Sequence, residues 1–405
     1  MGLDDVLAAA AGIRWNVLGE RALCDACLGR LVGKAGHGFT NLERGRAIRR
    51  AHGILGGGPC WLCQGLMNDL PKLADLVAAK LAPWEYATFL VGSKVDADVT
   101  EREETLWVEL GLTQAEPIKN EINREVGKLV AAKTAKAADL HRPDAAAILD
   151  TQYDVVEVEV APLFFYGRYR KLSRDIPQTR WPCRRCRGKG CDHCGGKGKM
   201  YETSVEEIVA GEAMKQTGGS GHALHGMGRE DVDALMLGNG RPFVVEVSRP
   251  VHRTLDLAVV EAAVNRTGLV EVEGLRASDH DEVVALKEDR ADKTYRARVR
   301  FAAPVEAAKL KDGIAALAGA RIAQRTPTRV SHRRSDQVRY RVVKGIGLLR
   351  ADGREAEVEV TAEAGTYVKE VLHGDAGRTQ PSLAAILGVP CEVVALDVVR
   401  IHDNR

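Results

Sequence analysis

Aromatic residues are scarce in this chain of 405: Phe, Trp and Tyr together make up 5%. With so few rings, the cores must rely on Ala, Val, Leu and Ile, and a stacking platform for single-stranded nucleic acid is disfavoured. Long apolar runs are also missing. No stretch reaches the ~18 uninterrupted apolar residues of a membrane helix, so no membrane span is expected. The start, Met1-Gly2-Leu3-Asp4-Asp5, is acidic and lacks the basic-then-apolar order of a secretory signal. Gly2 is followed by Val6 where myristoylation needs Ser or Thr. A cytoplasmic protein is expected. Net charge is nearly absent: 58 Lys and Arg against 56 Asp and Glu leave +2. Taken alone, that balance argues against a strong polyanion binder. There is no P-loop and no strand-linked glycine fingerprint, so no nucleotide or other organic cofactor is expected. A hydrophobic content of 45% with 28% charged residues excludes wholesale disorder, and the length suggests two to four domains.

What the chain does have is nine cysteines. Eight form four C-x2-C pairs: Cys24/Cys27, Cys60/Cys63, Cys183/Cys186 and Cys191/Cys194. Cys391 stands alone in an apolar stretch and reads as a small core residue. In a reducing compartment such thiols hold metal rather than one another. Two residues between cysteines let both sulfurs face one ion, and two such knuckles complete an all-thiolate tetrahedron with no position left for chemistry. Two structural Zn2+ ions per chain are expected. The second set reads as tandem C-x-x-C-x-G-x-G units over 183–198, whose glycines let the backbone turn back to the metal.

The periodicity predicts helices over 71–81, 101–112, 117–132 and 305–318, and a strand over 86–92. The basic run 44–50 reads as a solvated helix face, and 133–147, rich in Ala and Lys, as a linker. After 150 the pattern changes to strands. In 293–301, Tyr295, Ala297, Val299 and Phe301 alternate with Thr294, Arg296, Arg298 and Arg300. Residues 355–364 alternate in the same way. Strands with one wet face, interleaved with helices, indicate an α+β fold on a mixed or antiparallel sheet.

The charge is neutral only in sum. Residues 165–200 hold eleven Lys and Arg against two Asp, and 321–350 hold nine against one Asp. Two such blocks favour a polyanion partner, and the low aromatic content suits structured RNA. The candidate contacts are Arg168, Arg170, Lys171, Arg174, Arg229, Arg241, Arg325, Arg329, His332, Arg333 and Arg334.

Two Gly-rich segments look built for chemistry: Gly228-Arg229-Glu230-Asp231 and Gly365-Thr366-Tyr367-Val368-Lys369. Together with Lys293-Thr294-Tyr295 they resemble the motifs of the pseudouridine synthases. The resemblance implies that Asp231 is the catalytic aspartate, Lys369 its basic partner and Tyr295 the platform for the target base. It implies further that Tyr367 and Leu383 contact substrate. Asp233 competes for the nucleophile, but the register Gly-Arg-x-Asp favours Asp231. Residues 167–179, 229–243, 324–334 and 373–379 are similar to the archaeal and eukaryotic branch acting on the tRNA T-loop at positions 54 and 55. That likeness implies tRNA as partner, a zinc-binding region over 1–68 and a THUMP-like RNA-binding domain over 69–148. The catalytic domain would cover 149–405, with the zinc knuckle inserted at 183–198. A monomer is expected. The rival reading is a non-catalytic zinc-dependent RNA-binding or chaperone-like protein. DnaJ-type chaperones share the C-x-x-C-x-G-x-G unit, but use four units and a His-Pro-Asp hairpin that is missing here.

Overall fold

The computed structural model describes residues 2–54, 56–331 and 335–403. It divides into two compact units. The first comprises Met1–Ala161 with Arg249–Arg253, the second Pro162–Ser248 with Thr254–Arg405. No helix among the described residues is long and apolar enough to cross a membrane.

The first unit runs α1 (Leu3–Ala11), α2 (Asp25–Arg30), α3 (Asn41–His52), α4 (Leu70–Leu81), β1 (Thr88–Lys94), α5 (Ala97–Leu110), α6 (Ile118–Thr134), β2 (Ala137–Ala138), β3 (Ala145–Asp150) and β4 (Val155–Val160). Thr40 starts α3 with a capping box: its hydroxyl accepts from Glu43 N, and the Glu43 carboxylate accepts from Thr40 N. Two glycines let α2 and α3 cross in near-backbone contact. A Cβ on Gly29 would lie 1.8 Å from Asn41 O, and one on Gly45 would lie 1.8 Å from Asp25 O. Arg44, expected on a solvated face, is buried instead. Its guanidinium donates to the carbonyls of Ala35, Gly36 and Phe39 and so closes the loop ahead of α3.

The sheet of this unit has the order β2-β1-β3-β4, with β1 and β3 parallel and β3 and β4 antiparallel. Its core draws on Leu73 and Val77 of α4, Leu106 of α5, and Ile122 and Val126 of α6. The linker expected over 133–147 is partly wrong, because β3 begins at Ala145 and lies inside the sheet. Ala145, Ala147 and Leu149 alternate inward, but an alanine methyl is too small to make that alternation visible. The unit extends beyond 148 because β4 pairs with β3 along its whole length.

The second unit is built on one mixed ten-stranded sheet. Its elements are β5 (Leu163–Lys171), α7 (Val205–Thr217), β6 (Gly221–Gly226), β7 (Met236–Ser248), α8 (Leu257–Asn265), β8 (Val270–Ser278), α9 (His280–Glu288), β9 (Asp292–Phe301), α10 (Ala307–Leu317), β10 (Arg321–Arg325), β11 (Val338–Ala351), β12 (Glu355–Ala362), α11 (Val368–His373), β13 (Thr379–Gln380), α12 (Leu383–Leu387) and β14 (Cys391–His402). The strand order is β13-β10-β11-β12-β9-β14-β7-β5-β8, with β6 on β7. The contact of β14 with β7 is parallel and the other pairings are antiparallel. Two apolar clusters fill it, one around Phe165, Val209 and Phe243, the other around Val299, Leu310 and Val371. The expected alternation of β9 holds: Ala297, Val299 and Phe301 point in, and Arg296, Arg298 and Arg300 point out.

Candidate active site

A cleft of about 660 Å³ opens in the second unit where the loop between β6 and β7, strand β9 and the start of α11 converge. Asp231 and Tyr295 line it, with Lys369, Tyr367 and Arg329. The Gly-rich turn at Gly228, at a left-handed φ of 81°, brings the loop around so that Asp231 faces inward. The Lys369 ammonium sits 3.5 Å from the Asp231 carboxylate and 2.9 Å from that of Asp233. Arg329 reaches Asp231 at 3.1 Å and holds Glu370 at 2.8 Å with its Nε. Two cations therefore flank the Asp231 carboxylate. Burial raises the Asp233 carboxyl, but the Lys369 ammonium outweighs it and holds Asp233 below the ordinary carboxylate range. Burial pushes the Tyr295 phenol up, so its hydroxyl stays neutral at physiological pH. Tyr367 is pinned at the N-cap of α11 by Gln324, whose side chain exchanges hydrogen bonds with the Tyr367 backbone N–H and carbonyl.

The loop is also fixed from behind. Glu230, next to Asp231, reaches into a buried polar cluster. The Tyr169 hydroxyl donates to it at 2.9 Å, Arg241 pairs with it at 3.0 Å, and Gln178 donates to Tyr169 and to Gly228 O. The Lys171 ammonium, 0% exposed, donates to the carbonyls of Ile176, Asp231 and Val232. All three of its protons are thus used on backbone. Burial pushes this ammonium below the usual lysine range.

These positions correct several sequence expectations. Lys171 and Arg241 are buried, so they hold the loop and do not meet phosphate. Arg168 pairs with Asp403, Arg170 with Glu271 and Glu273, and Arg174 with Asp397 in a two-pronged contact of 2.6 and 2.8 Å. Their charge is spent within the fold. Arg325 is exposed but pairs with Asp336. Arg229 lines the cleft, its guanidinium carbon 5.3 Å from the centre of the Trp181 ring. Leu383 is a core residue of α12 with 0% exposure, and the apolar wall of the cleft is made by Leu396 and Val398 of β14 instead. His332, Arg333 and Arg334 lie outside the described residues. Sequence reasoning missed the roles of Glu230, Tyr169, Gln324 and Glu370, since no local pattern marks a polar residue as buried. It also missed Trp181 in the cleft wall, where one signal was legible: a rare Trp two positions before a knuckle cysteine.

Both cysteine sets close up. In each, four Sγ atoms lie within 4.8 Å of one another. Cys24 and Cys63 are 3.9 Å apart, Cys183 and Cys191 3.9 Å, and Cys186 and Cys194 3.8 Å. A tetrahedral ion bound at ~2.3 Å sets sulfur–sulfur edges of about 3.8 Å, so the donor sets fit such a metal. Backbone N–H groups of Gly190 and Gly198 donate to the Cys186 and Cys194 sulfurs at 3.2 Å. In the first set Arg30, 1% exposed, donates to Cys27 Sγ at 3.6 Å and pairs with Glu103 and Glu121.

The chain matches two family models, "Pus10, C-terminal" over residues 164–402 and "Pus10 THUMP domain, archaeal" over residues 73–150. It is 44% identical to the tRNA pseudouridine synthase Pus10 of Methanothrix thermoacetophila over 412 residues, covering 93% of this chain and 91% of that one. It is also 44% identical to the protein of the same name from Halorubrum lacusprofundi, covering 99% and 97%. The Methanopyrus kandleri protein of that name is 40% identical over 94% and 96%. With one family model covering more than half of its length and full-length relatives at this identity, the chain belongs to the Pus10 family of tRNA pseudouridine synthases.

Proposed function

We propose that the chain isomerises uridine to pseudouridine in the T-loop of tRNA, at position 54, position 55 or both, with Asp231 as the nucleophile. The observation that carries this reading is the Asp231 carboxylate held in the cleft between Lys369 and Arg329 on the same wall system as Tyr295. The reaction breaks the C1′–N1 bond, turns the base and forms a C1′–C5 bond. The C5 proton leaves and N1 gains one, so nothing is oxidised or reduced. Asp231 starts the exchange at the ribose or the base and leaves it unchanged. Lys369 and Arg329 hold its carboxylate in place from two sides. Tyr295 packs on the detached base, Leu396 and Val398 close the apolar side, and Tyr367 borders the substrate. A target uridine inside folded RNA must first be turned out of its stack, at a cost of a few kcal/mol. Arg229 is placed to fill the gap. The THUMP-like first unit adds RNA contact, as do His332, Arg333 and Arg334.

Zn2+ is the metal proposed for both four-cysteine sets, where it would hold the loops and take no part in the reaction. The reading is completed by a cytoplasmic enzyme that acts as a monomer. The test is pseudouridine mapping on unmodified tRNA with the parent chain and with Asp231→Asn. The parent should modify the T-loop. D231N should keep its fold and its tRNA affinity and lose turnover by at least about 10³-fold. Retained turnover in D231N, with loss in Asp233→Asn, would move the nucleophile to Asp233.

A further inference from the structure

The knuckle over 183–198 has no part in the uridine chemistry, yet its stem is built into the cleft wall. Cys183 N donates to Gly198 O at 2.8 Å, Pro182 and Lys199 form a β-bridge, and Met200 N donates to Trp181 O at 3.0 Å. The chain therefore enters and leaves the knuckle through one clamped stem. Trp181 belongs to that stem and lines the same cleft as Asp231. Tyr201 meets its indole edge-on at 5.4 Å, and Arg229 stacks over it. An ion bound by the four knuckle cysteines thereby also fixes an aromatic side chain at the cleft.

The charge distribution points the same way. Within the basic block 165–200, Arg168, Arg170 and Arg174 are ion-paired and Lys171 is buried. Lys197 and Lys199 pair with Glu202 and Glu207. Arg184, Arg185, Arg187 and Lys189 are exposed, as is Arg180. Among the described residues no carboxylate forms an ion pair with any of these five. Cations held outward on a metal-closed loop, with no internal partner, are available to an external polyanion.

We propose that the knuckle is a second RNA-binding surface of the catalytic unit. Arg184, Arg185, Arg187 and Lys189 bind backbone phosphates of the tRNA strand beside the target uridine, and Trp181 stacks on a neighbouring base. This rests on the tRNA reading above. It moves the electrostatic footprint of the first basic block from residues 168–174 to the knuckle.

The experiment uses the full chain and an unmodified tRNA transcript, with affinity measured across a KCl series and metal content measured on every variant. The triple variant R184Q/R185Q/K189Q leaves Arg187, at a left-handed φ of 52°, in place. It should keep both metals, bind tRNA at least about 10-fold more weakly, and show a log–log salt slope reduced by about 2. Arg170→Ala should keep the parent slope. Trp181→Ala should weaken binding about 10-fold, and Trp181→Phe should restore most of the loss, because a ring is what stacking needs. A triple variant with full metal, parent affinity and parent slope would overturn the knuckle surface. Equal loss in W181A and W181F would overturn the stacking. Weakened binding in the triple variant, from a parent that makes no pseudouridine, would sink the uridine reading and leave the knuckle surface standing.

Discussion

At the scale of single residues, the loop that carries Asp231 depends on charges buried behind it. Glu230 and Arg241 form an ion pair with both side chains 1% exposed. Removing one partner of such a pair leaves the other uncompensated, at a cost of about 3–5 kcal/mol. Arg241→Ala should therefore lower unfolding stability by that amount in a denaturant titration. A change within about 0.5 kcal/mol would return Arg241 to the surface role its sequence context suggested. Lys293, on the cleft wall, supplies a pH test. Burial, reinforced by repulsion from Arg241, pushes its ammonium down to about 8 from 10.5. Between those values the unfolded chain binds the extra proton, so stability rises with pH through that window by about 3 kcal/mol. Below pH 8 the full cost is present. Lys293→Met should thus be more stable than the parent at pH 7, and the gap should shrink by pH 10; parallel stability curves would reject the assignment. That Asp231, Tyr295 and Lys369 meet in one cleft was legible because each stands in a short motif tied to a turn or strand. Lys171 and Arg241 were misread because a basic residue in a strand looks the same whether it faces water or a buried carbonyl. For Lys171, the Asp231 and Val232 carbonyls that bury it lie 60 and 61 residues further along the chain.

At the scale of elements, α2 and α3 cross in near-backbone contact at Gly29 and Gly45, and α2 carries Cys24 and Cys27 at its start. Gly45 has an ordinary helical backbone, so Gly45→Ala tests contact alone. Its added Cβ would meet the Asp25 carbonyl at 1.8 Å and must part the helices. A loss of about 3 kcal/mol is expected, at the upper end of the overpacking range, read as a lowered denaturant midpoint. An unchanged midpoint would mean that the crossing is looser than described. The helices over 70–81, 97–110 and 118–134 were legible from apolar periodicity, as were β9 and β12 from alternation. β3 was not, since three of its six residues are alanines.

At the scale of the whole molecule, the small net charge of +2 describes nothing local. Most basic residues of the 165–174 segment are neutralised within the fold, and the free ones are gathered on the knuckle. Metal analysis of the purified chain should find about two zinc ions, and Cys60→Ser should reduce that to about one. A single ion in the parent would mean that one four-cysteine set closes without metal. The two four-cysteine clusters could be read from spacing alone because a C-x2-C pair is a local device. The place of Arg249–Arg253 in the first unit could not, since it depends on contacts remote in sequence.

The division also has a practical edge. Arg249–Arg253 belong to the first unit although they lie far downstream of Ala161. Arg253 pairs with Asp144 at 3.1 Å, donates to Ala161 O and takes Glu85 on its backbone N–H, and Arg249 stacks on Trp84. A fragment ending at Ala161 would be missing a piece of its own surface, and the complementary fragment would carry an orphan. The two halves cannot be swapped between relatives by a single cut. A chimera must exchange two segments at once, and a fragment meant for separate study must bring its five-residue patch along, on a tether or as an added peptide.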